Sequence, residues 1–145
     1  MTVIFKRISP IAPQQFISYT VFQMKQKDGF LKMAIGWKGV FPAVTTQLRA
    51  DLSIDLDDTQ RVVDNLIRDG VTGIIALGTV GENNSLMYDE KVSVLTAIVE
   101  VVAGRVPVLT GVSEYDTRRA VRYAQAAEKV GADGLMLLPP MVYVP

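Results

Sequence analysis

From residue 37 onward one unit recurs along the chain, and it narrows the possible folds more than any other feature. A short, continuously apolar run is followed by a segment with apolar residues at helical spacing, and a glycine closes the unit. The first run is Gly39-Val40-Phe41-Pro42-Ala43-Val44-Thr45-Thr46. The segment Ile54 to Asp69 follows it, with Leu56, Val62, Val63, Leu66 and Ile67 at helical spacing. Asp55, Asp57 and Asp58 stand where carboxylates satisfy the free N–H groups of a helix start. Gly70 stands where a helix ends.

The second unit opens with Thr72-Gly73-Ile74-Ile75-Ala76-Leu77-Gly78. Its predicted helix runs from Tyr88 to Ala103, with Val92, Leu95, Ile98, Val99 and Val102 inward, and Gly104 ends it. The third opens with Val106-Pro107-Val108-Leu109-Thr110-Gly111-Val112. Its helix runs from Asp116 to Val130, with Ala120, Val121, Ala124 and Ala127 inward, before Gly131. The fourth has its strand, Gly134 to Leu138, and breaks at Pro139-Pro140. Strand starts about 30 residues apart match one βα unit. Runs that are apolar throughout, not alternating, fit a parallel sheet covered on both faces. This rhythm fits either a (β/α) barrel or an open doubly wound sheet, and periodicity cannot choose between them.

With four strands and no fourth helix, the sequence reads as a fragment, a half-barrel, or a unit that pairs with another chain. Residues 1–36 read as an N-terminal extension, expected to be poorly ordered, and 37–145 as the folded part. Pro10 and Pro13 interrupt the extension and no clean signal pattern follows.

Composition removes several chemistries. The 145 residues contain no cysteine and no histidine, so disulfides, thiol nucleophiles, histidine bases and nearly all zinc sites are excluded. Lys plus Arg and Asp plus Glu both number 15, so the net charge is zero. A neutral chain has no electrostatic footprint for nucleic acid or an anionic membrane. No apolar run is long enough to span a bilayer, and the absence of disulfides fits the cytoplasm. No cluster of Asp and Glu has metal-ligand spacing.

In parallel α/β architectures reactive groups sit at the C-terminal ends of strands. The most informative such end is Gly78-Thr79-Val80-Gly81-Glu82-Asn83-Asn84. Two glycines let the backbone turn tightly and approach a ligand, and successive free N–H groups there can hold a small carboxylate. The hydroxyl of Thr79 can donate and accept, as a proton relay requires. Glu82 and the two Asn are polar where a pocket lining is expected. On spacing alone the same residues fit somewhat better a plain strand-to-helix turn, whose glycines serve chain reversal and whose Glu82 supports the next helix. Tyr115 and Tyr143 can relay protons or simply pack. Lys38, Lys91 and Lys129 read as solvated surface charges, because none sits at the C-terminal end of a strand.

At Gly78-Thr79-Val80-Gly81-Glu82 and Leu86 the sequence resembles the dihydrodipicolinate synthase / N-acetylneuraminate lyase family, whose signature is Gly-Thr-Thr-Gly-Glu followed by a Leu. The resemblance covers residues 37–145. It takes in the Gly39–Thr46 opening, Arg105-Val106-Pro107-Val108, and Gly131-Ala132-Asp133-Gly134. It implies the N-terminal half, about four βα units, of a TIM (β/α)8 barrel. The implied chemistry is a Schiff base between a strand-six lysine and pyruvate or another 2-keto acid, which allows a C–C bond to be made or broken beside the imine. It implies carboxylate binding by Gly78, Thr79, Val80, Gly81 and Glu82. It also implies a proton relay through Thr79, no cofactor, and a homo-oligomer.

Three departures stand out. Val80 replaces the second Thr, keeping its N–H and losing a hydroxyl. Met141 and Val142 stand where the synthases carry an aromatic pair, with Tyr143 adjacent as a candidate catalytic residue. Strands five to eight, with the lysine, are absent, so the 145 residues are expected to be inactive alone. The other readings are a non-catalytic half-barrel module that binds a carboxylate or dimerises, and an unrelated open α/β binding domain.

Overall fold

A computed structural model describes residues 20–23 and 36–138. Strand β1 (Thr20–Gln23) lies in the expected extension. After it come α1 (Leu56–Arg68), β2 (Ile74–Ala76), a 3-10 turn (Thr79–Gly81), α2 (Tyr88–Val102), β3 (Val108–Val112), α3 (Thr117–Val130) and β4 (Gly134–Leu137).

The helices form where the capping chemistry places them. Asp55 accepts a hydrogen bond from the Asp58 N–H at the start of α1, and Asp116 accepts one from the Arg119 N–H at the start of α3. Either cap satisfies one otherwise free donor. Gly70 follows α1 at a positive φ of 89°, and Gly131 closes α3 at 106°. Both conformations cost a side-chain-bearing residue energy that glycine avoids.

The sheet has the order β1-β4-β3-β2. β2, β3 and β4 are parallel, in the registers Ile75↔Leu109 and Thr110↔Leu135, and β1 lies antiparallel on the outer edge of β4. The first predicted strand, Gly39–Thr46, is reduced to a parallel bridge between Ala43 and Ile75. Its backbone still runs beside β2, with bonds from the Val44 N–H to Ile75 O and from the Ile75 N–H to Pro42 O. Pro42 has no N–H to continue the ladder, which limits the pairing.

One core cluster joins all three helices to one face of the sheet: Val63 of α1; Val94, Leu95, Ile98 and Val102 of α2; Tyr123 and Ala127 of α3; and Ile74, Ala76, Val108, Val112 and Leu135 below them. The other face carries Ile75 and Leu109, with Trp37, Phe41 and Met136 packed on them. Strand residues alternate between the two faces, as pleating demands. Among the described residues the helices lie on a single face, the arrangement of a barrel wall. A doubly wound sheet would place helices on both faces.

Two packing expectations need correction. Val121 was expected inward, yet it is 41% exposed; the inward residue of that turn is Tyr123, fully buried. The buried stripe is therefore Ala120, Tyr123, Ala124 and Ala127, at the strict i, i+3, i+4, i+7 spacing. Lys91 was expected to be a solvated charge, but it is buried on α2 and its Nζ lies 2.6 Å from Oε1 of Glu114. Lys38 and Lys129 are exposed as expected.

Beside this ion pair, the Tyr123 hydroxyl and Thr110 Oγ1 are 2.9 Å apart in the interior. Burial pushes the Tyr123 phenol above its ordinary value of 10.0, so the folded chain holds that proton more tightly than the unfolded chain does. The resulting stability is fully present below pH 10 and is lost as pH rises beyond it. Tyr123→Phe should cost about 1–2 kcal/mol by orphaning Thr110. It should also flatten the alkaline loss of stability, read as urea midpoints between roughly pH 9 and roughly pH 11.

Candidate functional site

The segment between β2 and α2 is built to turn sharply. Leu77 adopts a left-handed φ of 51° although it carries a side chain, and Glu82 does the same at 61°. Between them Thr79–Gly81 forms a single 3-10 turn. Its closing bonds run from the Gly81 N–H to Gly78 O (3.0 Å) and from the Glu82 N–H to Thr79 O (3.2 Å). Two of the five candidate N–H groups are therefore occupied within the turn. Among the described residues, those of Gly78, Thr79 and Val80 find no acceptor. The tip is open to solvent: Thr79 and Val80 are exposed, while Gly78 and Gly81 are buried.

The surroundings hold the turn in place. Thr46, buried at the end of the first segment, donates from its Oγ1 to Gly81 O at 2.8 Å. The Glu82 carboxylate accepts from the Ser85 hydroxyl at 2.8 Å, which braces the approach to α2. Asn83, expected as pocket lining, is instead buried, and its side-chain amide donates to Leu77 O (2.9 Å) and Gly111 O (3.0 Å). A short polar side chain beside two free carbonyls finds more partners there than at the surface. Asn84 is exposed. Gly111 lets β3 approach this carbonyl, since a Cβ there would collide with Leu77 O.

Thus the structure gathers Gly78, Thr79, Val80, Gly81 and Glu82 into one turn at the C-terminal edge of the sheet. Tyr143 lies outside the described residues. Tyr115, after β3, is exposed. A hollow lined by Asp116, Thr117, Arg118 and Arg119 lies at the start of α3, apart from this turn. Among the described residues, no three His, Cys, Asp or Glu side chains converge to hold a metal, and no helix is long and apolar enough to cross a membrane. Sequence reasoning missed Thr46 and Asn83 as braces of the turn. Their signal was faint: a Thr at the end of the first apolar run and an Asn five residues after the second, either of which could equally have faced solvent.

A glycine-framed turn after the second strand of a singly wound βα wall agrees with the family match, which spans residues 36–145: the chain belongs to the dihydrodipicolinate synthetase family. Over 97 residues it is 42% identical to a trans-O-hydroxybenzylidenepyruvate hydratase-aldolase of Sphingobium xenophagum, covering 67% of this chain and 30% of that protein. Over 106 residues it is 38% identical to a 4-hydroxy-tetrahydrodipicolinate synthase of Methanosphaerula palustris, covering 72% of this chain and 36% of that one. Among solved structures it matches a prophage protein of the dihydrodipicolinic acid synthase family from E. coli K12, in complex with pyruvate. That match has a TM-score of 0.73 and 32% identity over 77% of this chain and 37% of the other. A putative dihydrodipicolinate synthetase from Pseudomonas aeruginosa matches with a TM-score of 0.71 and 36% identity over 74% and 37% of the two chains. The chain thus spans about a third of the length of the relatives it matches. The fold is that of a partial (β/α)8 barrel.

Proposed function

We propose that these residues supply the carboxylate-binding part of a Schiff-base lyase or aldolase acting on pyruvate or another 2-keto acid. The observation that supports this most is the row of three backbone N–H groups at Gly78, Thr79 and Val80 that have no acceptor among the described residues, on a braced turn whose tip, Thr79 and Val80, is open to solvent. Such a row suits a small carboxylate, which brings acceptors and a negative charge to unpaired donors. In this reading Thr79 and Val80 donate to the carboxylate and the Thr79 hydroxyl relays a proton. Tyr143 is a second relay candidate. Gly81 and Glu82 contribute by closing the turn, since their own N–H groups are engaged.

The change to Val80 removes a hydroxyl and leaves the N–H intact, so that donor to the carboxylate remains. Residues 37–145 then form the barrel part and residues 1–36 an extension. The protein would work in the cytoplasm as a homo-oligomer, without nucleic acid, membrane or cofactor. Titration of the isotope-labelled chain with pyruvate tests the reading directly: the amide signals of Thr79 and Val80 should move together and saturate. Saturating shifts confined to other residues would refute it.

The covalent step requires an amine beside the bound keto acid. Among the described residues Lys91 is held by Glu114, while Lys38 and Lys129 lie away from the turn, on the approach to the first segment and near the end of α3. The 145-residue chain is expected not to be trapped when pyruvate and borohydride are added together, as read by intact mass. Stoichiometric trapping on one of its own lysines would overturn this.

A further inference from the structure

We infer that Asn83 is a positioning residue: its side-chain amide locks the Leu77–Gly78 peptide in the orientation that aims the turn's free N–H groups. The functional part of this inference rests on the carboxylate reading above; the conformational part stands without it.

The carbonyl of Leu77 receives one Asn83 Nδ2–H at 2.9 Å, and the carbonyl of Gly111 receives the other at 3.0 Å. Both side-chain donors are spent on backbone, one on the end of β2 and one on β3, so a single residue ties the two strand ends together. The orientation of the amide is not interchangeable. Turned over, its oxygen would face two carbonyl oxygens.

A trans peptide places its C=O and N–H on opposite sides. Fixing Leu77 O toward Asn83 therefore directs the Gly78 N–H away from it, and the next peptides follow through the 3-10 turn. Leu77 meanwhile sits at φ 51°, a region that a leucine rarely adopts and that external bonds must hold. Its side chain is 1% exposed, so it cannot be traded for glycine without opening the core.

Asn83 is itself 1% exposed, and its Oδ1 has no hydrogen-bond partner among the described residues. A buried, unpaired carbonyl is unfavourable, and an apolar residue of the same size would avoid it. The two donated bonds are therefore what the amide contributes at this position.

The test compares the isotope-labelled full chain with Asn83→Leu, which keeps the volume and removes both donors. Without ligand, the short distance between the Leu77 amide proton and its own Hα, the mark of a left-handed residue, should be strong in the parent and weakened in the variant. With pyruvate, the Thr79 and Val80 shifts should persist in the variant only at concentrations about tenfold higher, the effect of losing roughly one hydrogen bond's worth of preorganisation. A variant that keeps Leu77 left-handed overturns the inference. If Leu77 relaxes in the variant but the parent ignores pyruvate, the lock stands and the carboxylate reading falls. Should Asn83→Leu fail to fold, the parent carries the test. The Asn83 side-chain protons must then be protected from exchange as long as Leu77 stays left-handed; free exchange beside a left-handed Leu77 overturns the inference.

Discussion

Replacing Lys91 by Met is expected to destabilise the chain by about 3–5 kcal/mol, the usual cost of removing one partner from a buried ion pair. Nζ and Oε1 of Glu114 are 2.6 Å apart, and the two side chains are only 6% and 13% exposed. Surface pairs contribute far less, because water screens them and replaces either partner. Here a Met would fill the space of the lysine stem and leave the Glu114 carboxylate with no counter-charge. The ammonium also lies 5.8 Å from the centre of the Tyr123 ring, a weaker attraction lost in the same change. Lys91→Met combined with Glu114→Leu should recover most of the loss, since an apolar pair avoids both desolvation costs. Urea unfolding reads the effect as a shift of midpoint at unchanged slope. A single variant that loses less than about 1 kcal/mol would show the pair behaving as if at the surface.

That pair marks where reading the sequence fell short. The three helices and strands β2, β3 and β4 were legible because each has a local cause: apolar runs bounded by Gly or Pro, and Asp55 and Asp116 at helix starts. The turn at Gly78–Glu82 was legible for the same reason. Strand β1, Thr20–Gln23, was not, since it falls in the segment read as an extension. Lys91 was not, because its environment comes from Glu114, 23 positions away in sequence. Val121 reads as inward from its apolar character, but the i, i+3, i+4 geometry around Ala120 and Ala124 places Tyr123 there instead. Asn83 looked like pocket lining because polarity signals water before it signals backbone carbonyls. In each case a tertiary partner settled what the local pattern left open. The first strand went the other way: its apolar run was clear, yet Pro42 removed a ladder donor and left a single bridge.

The last prediction bears on stability and site together. Gly111→Ala is expected to cost about 3 kcal/mol, the upper end for overpacking, and to weaken the proposed carboxylate binding at the turn with it. The added Cβ would overlap Leu77 O and stand 2.9 Å from the Leu77 carbonyl carbon and 3.2 Å from Gly78 Cα, all of them backbone. Backbone yields only by moving β2 against β3, and that motion breaks both Asn83 bonds at once. Gly73→Ala offers a contrast, because its Cβ would collide with the ring of Phe41, a half-buried side chain and not backbone. Gly104→Ala offers another: nothing lies within 4 Å of that Cβ, so only the positive φ of 73° opposes it, at about 1 kcal/mol. The expected order of urea midpoints is therefore Gly111→Ala lowest and Gly104→Ala nearest the parent, with Gly73→Ala between them. Only Gly111→Ala should also displace the Thr79 and Val80 amide signals in the absence of ligand. An unaltered turn spectrum in Gly111→Ala would mean that the strand ends give way elsewhere, and that the close approach of β3 to Leu77 does not set the geometry of the turn.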